Sequence, residues 1–116
     1  MYGKAKHMIT NLSIAASGLR HQQARLQGAA HNVANQAAVP SATATVRVHA
    51  SELEGGGVES RTHAQPLPAD GAVNPSGELL TTGILPLLTA PNHANGLAHI
   101  IRAQDEMTGI LLDITA

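Results

Sequence analysis

The sequence predicts a mainly α protein with a small β-hairpin, in which N- and C-terminal helices pack together and in assemblies around a turn-rich middle. Three observations carry this. Leu12, Leu19, Leu26 and Val33 recur every seven residues in the Ala-rich stretch ITNLSIAASGLRHQQARLQGAAHNVANQ. Leu97, Ile100, Gln104, Met107, Leu111 and Ile114 alternate three and four residues apart in LAHIIRAQDEMTGILLDI. Between these stripes the pattern changes to β-branched alternation and to clusters of Gly and Pro. Heptad stripes at both ends favour a coiled or bundled assembly part over an enzyme.

In chain order, MYGKAKHM reads as a frayed lead-in, and Thr10 or Asn11 offers an oxygen to cap the first helix. That helix is expected over residues 11–34, a rod of roughly 36 Å. Ala15, Ala16, Ala29 and Ala30 thin its apolar face so that a neighbour can approach closely. Gln22 and Gln23 interrupt the stripe and can specify register through hydrogen bonds. Gly18 costs about 1 kcal/mol of helix propensity relative to Ala, tolerable where a partner needs the space. Asn32, Asn35 and Pro40 signal the helix exit. Thr43 to His49 then alternates as a strand, Gly55 to Gly57 supply a turn, and VESRTHAQ reads as a second strand pairing with the first.

The segment PLPADGAVNPSG is a linker, and ELLTTGILPLLT, residues 78–89, is a short or kinked helix broken by Gly83 and Pro86. Pro91 and Asn92 mark another break, placing the start of the last helix between Asn92 and Ala98. The organisation is therefore an N-terminal assembly helix over 1–39, a β-hairpin and linker over 40–77, and a C-terminal helical region over 78–116.

Of the 116 residues 43% are hydrophobic, but much of that is alanine, and Tyr2 is the one aromatic beside no Phe and no Trp. The residues that dominate most cores are missing. A marginal monomer that gains order as several chains bury their stripes together is the expected behaviour. No cysteine means no disulfide, thiolate metal site or cysteine nucleophile. Seven Lys plus Arg against eight Asp plus Glu, a net charge of -1, offers little attraction to nucleic acid. No apolar run reaches membrane-spanning length, and no segment resembles a cleavable signal peptide, so no direct membrane insertion is expected.

The seven histidines form no HxxxH or HExxH set, Ser60 near His63 lacks an activating arrangement, and adjacent Asp105 and Glu106 point to different sides of a helix. Gly55 to Gly57 lack the ending of a phosphate-binding loop. No catalytic, metal or cofactor residues are assigned. The candidate interface residues are Leu12, Leu19, Leu26, Val33, Leu97, Ile100, Met107, Leu111 and Ile114.

Two end motifs add a family resemblance. Ser17, Gly18, Leu19, Gln23, Arg25, Leu26, Asn32, Val33, Ala34 and Asn35 spell an SGL, Q-x-RL and NVAN pattern. Ile101, Arg102, Asp105, Glu106, Met107, Gly109, Leu111, Leu112 and Asp113 form the second, IRAQDEMTGILLD. Together they resemble the bacterial flagellar rod and hook axial proteins, most closely the short proximal-rod members. The resemblance covers roughly half the chain, in the family's order. It implies a structural rod subunit, helix contacts with other rod subunits and with its own copies, and export through the flagellar type III apparatus without signal cleavage. It places the chain in the periplasm-spanning rod of the basal body. The alternative is a soluble helical binding or regulatory module that meets export or axial proteins through the same stripes. The chain departs from the family near Val39 and Pro40, where a Thr-rich turn and a Gly-aromatic pair are usual, and at Gly83 and Pro86, which interrupt a helical segment.

Overall fold

A computed structural model describes residues 2–38, 44–66, 77 and 79–115. Helix α1 spans Tyr2–Ala38, strand β1 Ala44–Glu52, strand β2 Val58–Pro66, and helix α2 Leu85–Thr115, preceded by a π-turn at Leu80–Ile84. The fold is mainly helical with a small antiparallel hairpin and with the two end helices packed together, as the periodicity predicts.

The helices run antiparallel. Gly18 faces Leu97 and, farther along α1, Val33 faces Gly83, so ascending α1 descends the other chain segment. The molecule measures 66 × 25 × 17 Å with a radius of gyration of 19.1 Å. A compact domain of this length would have roughly 13 Å. It is a rod, and α1 at about 1.5 Å per residue accounts for most of its length.

The hairpin lies along one side of α1. Its register runs from Ala44↔Pro66 to Glu52↔Val58. At the tip, the Gly56 amide donates to the Leu53 carbonyl at 3.0 Å, and Gly55, Gly56 and Gly57 have φ of +96°, +97° and +97°. Three successive left-handed residues explain the triple glycine, since a side chain there would be strained. Close approach adds a second reason: a Cβ on Gly57 would sit 2.8 Å from the Ser17 hydroxyl.

Several expectations are corrected. α1 begins at Tyr2 rather than near Asn11, and Thr10 caps nothing: its hydroxyl donates to the Lys6 carbonyl one turn back. Asn32 and Asn35 lie inside α1, which continues to Ala38. The break at Pro91 and Asn92 is absent, because α2 runs through both. Pro91 is exposed, so the carbonyl its missing N–H leaves unpaired can meet water, and the Asn92 side chain donates back to Leu88 at 3.4 Å. Val39, Pro40, Thr43 and most of the expected linker lie outside the described residues.

The centre is unusual. Among the described residues the only buried apolar side chains are Ala15, Ala29 and Ala90, and the largest fully buried ones are Asn32 and Thr45. No large aliphatic chain anchors the fold there. Small residues bring backbones together and polar groups bond across the gap.

Candidate assembly interface

Two kinds of site emerge: a polar junction that holds α1, the hairpin and the π-turn together, and an apolar surface that none of the described residues covers.

The junction is built on Asn32, which is 2% exposed. Its Oδ1 accepts from the Val46 amide at 2.7 Å, and its Nδ2 donates to the Val46 carbonyl at 2.8 Å and to the Thr82 carbonyl at 2.9 Å. One amide thus pairs with β1 as another strand would and ties the π-turn to the same point. Both its amide protons are used. The Thr82 carbonyl is available for a chemical reason. In an α-helix its donor would be residue 86, and Pro86 has no N–H. The chain responds with a π-turn, in which the Leu85 amide reaches back five residues to the Leu80 carbonyl. Gly83 permits the seating, for a Cβ there would lie 2.8 Å from Val33.

Ser17 holds the other end of the hairpin. Its hydroxyl donates to the Ile14 carbonyl at 2.7 Å and accepts from the Val58 amide at 3.0 Å. Gly18 lets Leu97 approach, with 3.1 Å from a would-be Cβ to Cδ1, and Gly28 does the same for Val48 at 3.0 Å. Between these points His21 Nδ1 and the Ser60 hydroxyl are hydrogen-bonded at 3.0 Å. Burial, and secondarily the Arg25 guanidinium, hold the His21 pKa below its ordinary value. Arg25 itself donates to Gln22 at 3.1 Å.

The other motif residues are peripheral. Ala34 is exposed, and the Asn35 amide donates to His31 Nε2 at 2.7 Å on the surface. Asp105, Glu106, Gly109 and Asp113 are exposed on the outer side of α2.

Of the expected interface residues, Leu97 lies in the contact between α1 and α2 against Gly18, and Val33 meets Gly83. Ala15, Gly18 and Ala29 line the approach from α1, while Leu12 and Leu26 stand exposed beside it and Leu19 and Val33 are half-buried. On α2 the expected stripe straddles two faces. Leu97, Ile101 and Gln104 are half-buried, and Leu97 meets Gly18. Ile100, Met107, Leu111 and Ile114 are 50, 50, 45 and 75% exposed. Of the small residues expected to admit a neighbour, Ala15 and Ala29 are buried and Gly18 meets Leu97, while Ala30 is exposed. Ala15, Gly18, Ala29 and Asn32 are spaced three, eleven and three residues apart, which puts them on one face of α1.

Gly96, Ile100, Ala103, Met107, Ile110 and Ile114 are spaced four, three, four, three and four apart and are all exposed. This is a complete heptad stripe with no partner among the described residues. It starts beside an open cavity of about 490 Å³ at the hairpin tip, lined by Ile14, Ser17, Leu97, Ile100 and Gln104 among others. Past that tip the hairpin no longer covers the helices.

Among the described residues no three His, Asp or Glu side chains converge as metal ligands would, and no helix is long and apolar enough to cross a membrane. Comparison with protein-family models, curated proteins and solved structures finds no match.

Proposed function

We propose that this chain is a non-enzymatic structural subunit of the bacterial flagellar basal-body rod, assembling through its terminal helices with other rod subunits. The observation that carries the reading is the pairing of two end helices that use small residues on each other and leave a heptad stripe facing outward. An amphipathic helix gains stability by burying such a face, and a rod of subunits provides neighbours to bury it. The motif residues support the same reading from another side. Ser17, Gly18 and Asn32, which carry the resemblance to axial proteins, here position the hairpin and the second helix on the first.

On this reading the chain leaves the cytoplasm through the flagellar type III apparatus without a cleaved signal and resides in the periplasm-spanning rod. A clean deletion strain tests it. Loss of motility and of rods, restored by the full chain but not by chains lacking either terminal helix, is the expected result. Normal flagella in the deletion strain would overturn it. Recovery of the chain as a discrete cytoplasmic complex would favour the binding-module alternative.

A further inference from the structure

α2 carries two stripes that differ by one residue. The first, Leu97, Ile101 and Gln104, is half-buried on the side of α1 and runs on through exposed Thr108 and Leu111. The second, Gly96, Ile100, Ala103, Met107 and Ile110, is exposed. One residue in an α-helix is a rotation of about 100°. A π-turn holds one residue more than the α-turn it replaces, so each residue beyond it takes the place its predecessor would occupy in an unbroken α-helix. The offset between the stripes and the offset introduced at Leu80–Ile84 are the same.

We propose that the π-turn is a register switch that decides which stripe of α2 faces α1. With Thr82 held by Asn32 and Gly83 seated on Val33, the π geometry turns Leu97 and Gln104 inward and leaves the second stripe open for docking. If the same five residues close into α geometry while those anchors stay in place, α2 rotates by one residue. Ile100, Ala103, Met107 and Ile110 then lie on α1 of their own chain, and the docking stripe is hidden.

The composition of α2 makes both registers accessible. Near the junction the present register is better, placing Ala90 in a buried position that Thr89 would otherwise take. Toward the far end the other is better. The present one puts Gln104 on the side of α1, where its Oε1 is buried without a hydrogen-bond partner, an arrangement that costs free energy, and exposed Thr108 follows it along the stripe. Rotation would replace Gln104 by Ala103 and Thr108 by Met107. The two halves of the helix therefore favour different answers, and Pro86 decides between them. Its ring crowds the Thr82 carbonyl in α geometry, and it offers no N–H in return. A partner bound to the open stripe would further select the π state, since only that state presents it. The inference does not depend on which assembly the chain joins.

The chain has no cysteine, so paired substitutions report the register directly. Asn11 and Gln104 line the same cavity from opposite helices. In the otherwise unaltered chain, Asn11→Cys with Gln104→Cys should oxidise to a disulfide faster, by about tenfold, than Asn11→Cys with Ala103→Cys. Adding Pro86→Ala should reverse the preference. This change raises helix propensity, and circular dichroism verifies that helix content is retained. Deleting Ile84 in the Pro86→Ala background should restore the original preference, because it removes the extra residue while leaving α geometry. General loosening of the helix pair would not be rescued by that deletion. Pro86→Ala chains that still favour the 104 pair, or equal rates for both pairs in the unaltered background, would overturn the switch.

Discussion

The two ends of the helix pair are built differently. At the junction end α1 is flanked by the hairpin and the π-turn, and every contact is short: Asn32 to Val46 and Thr82, Gly28 to Val48, Gly83 to Val33. At the far end, beyond the glycine tip, α1 and α2 are the only elements among the described residues. There Ile9, Met107, Ile110, Leu112 and Ile114 are half to three-quarters exposed. The junction end has polar groups where water would be expected and buries them. The far end has apolar groups where a core would be expected and exposes them. A chain almost without aromatics can fix its geometry by hydrogen bonds at one end and keep its hydrophobic surface for another molecule.

The largest effect should come from breaking the junction. Asn32→Ala removes the hydrogen bonds that the Asn32 side chain makes to Val46 and to the Thr82 carbonyl in a buried site. It should lower stability by about 3 kcal/mol, measured by denaturant unfolding, with faster amide exchange across β1. Close approach comes next. Gly83→Val places methyl groups against Val33 and should cost about 1–3 kcal/mol by overpacking, read in the same unfolding experiment. Gly109→Ala, with nothing within 4 Å, is the control, and it should stabilise modestly through helix propensity.

At the far end the order of effects inverts. Met107→Glu with Ile110→Glu should change unfolding of the isolated chain by less than about 1 kcal/mol, because both side chains are already exposed. The same pair should abolish concentration-dependent association in sedimentation, since a buried interface rejects unpaired carboxylates. An equal loss of stability at both ends would erase the contrast.

The smallest effect is in pH. The folded state keeps His21 neutral below its ordinary pKa of 6.5, so at mildly acid pH the unfolded chain binds more protons and stability rises with pH. Acidification through and below that value should weaken hairpin docking, and His21→Gln should flatten the dependence. Thermal melts of both chains across the acid range check this. A steeper decline in His21→Gln would contradict it.

The fold was legible where periodicity is strong. Heptads announced both helices, and Thr43 to His49 with Val58 to Gln65 announced the hairpin. What stayed hidden was whatever depends on a partner distant in sequence. Asn32 read as a helix exit because asparagine tolerates that geometry, yet tertiary bonds to Val46 and Thr82 hold it inside α1. Pro91 read as a break because its missing donor matters in isolation, whereas on the exposed side of α2 it is tolerated. Gly83 and Pro86 were visible as an interruption. Their outcome, a π-turn that changes register without ending the helix, follows only once Thr82 has found Asn32.

On the proposed function, the uncovered far stripe is the surface through which the chain enters a larger assembly. Quantifying the chain in purified hook-basal bodies and in the soluble fraction of the same cells tests it most directly. The wild-type chain should copurify with basal bodies in a fixed ratio, and the Met107→Glu, Ile110→Glu chain should remain soluble though folded. Equal incorporation of both chains, or absence of the wild-type chain from basal bodies, would contradict the account.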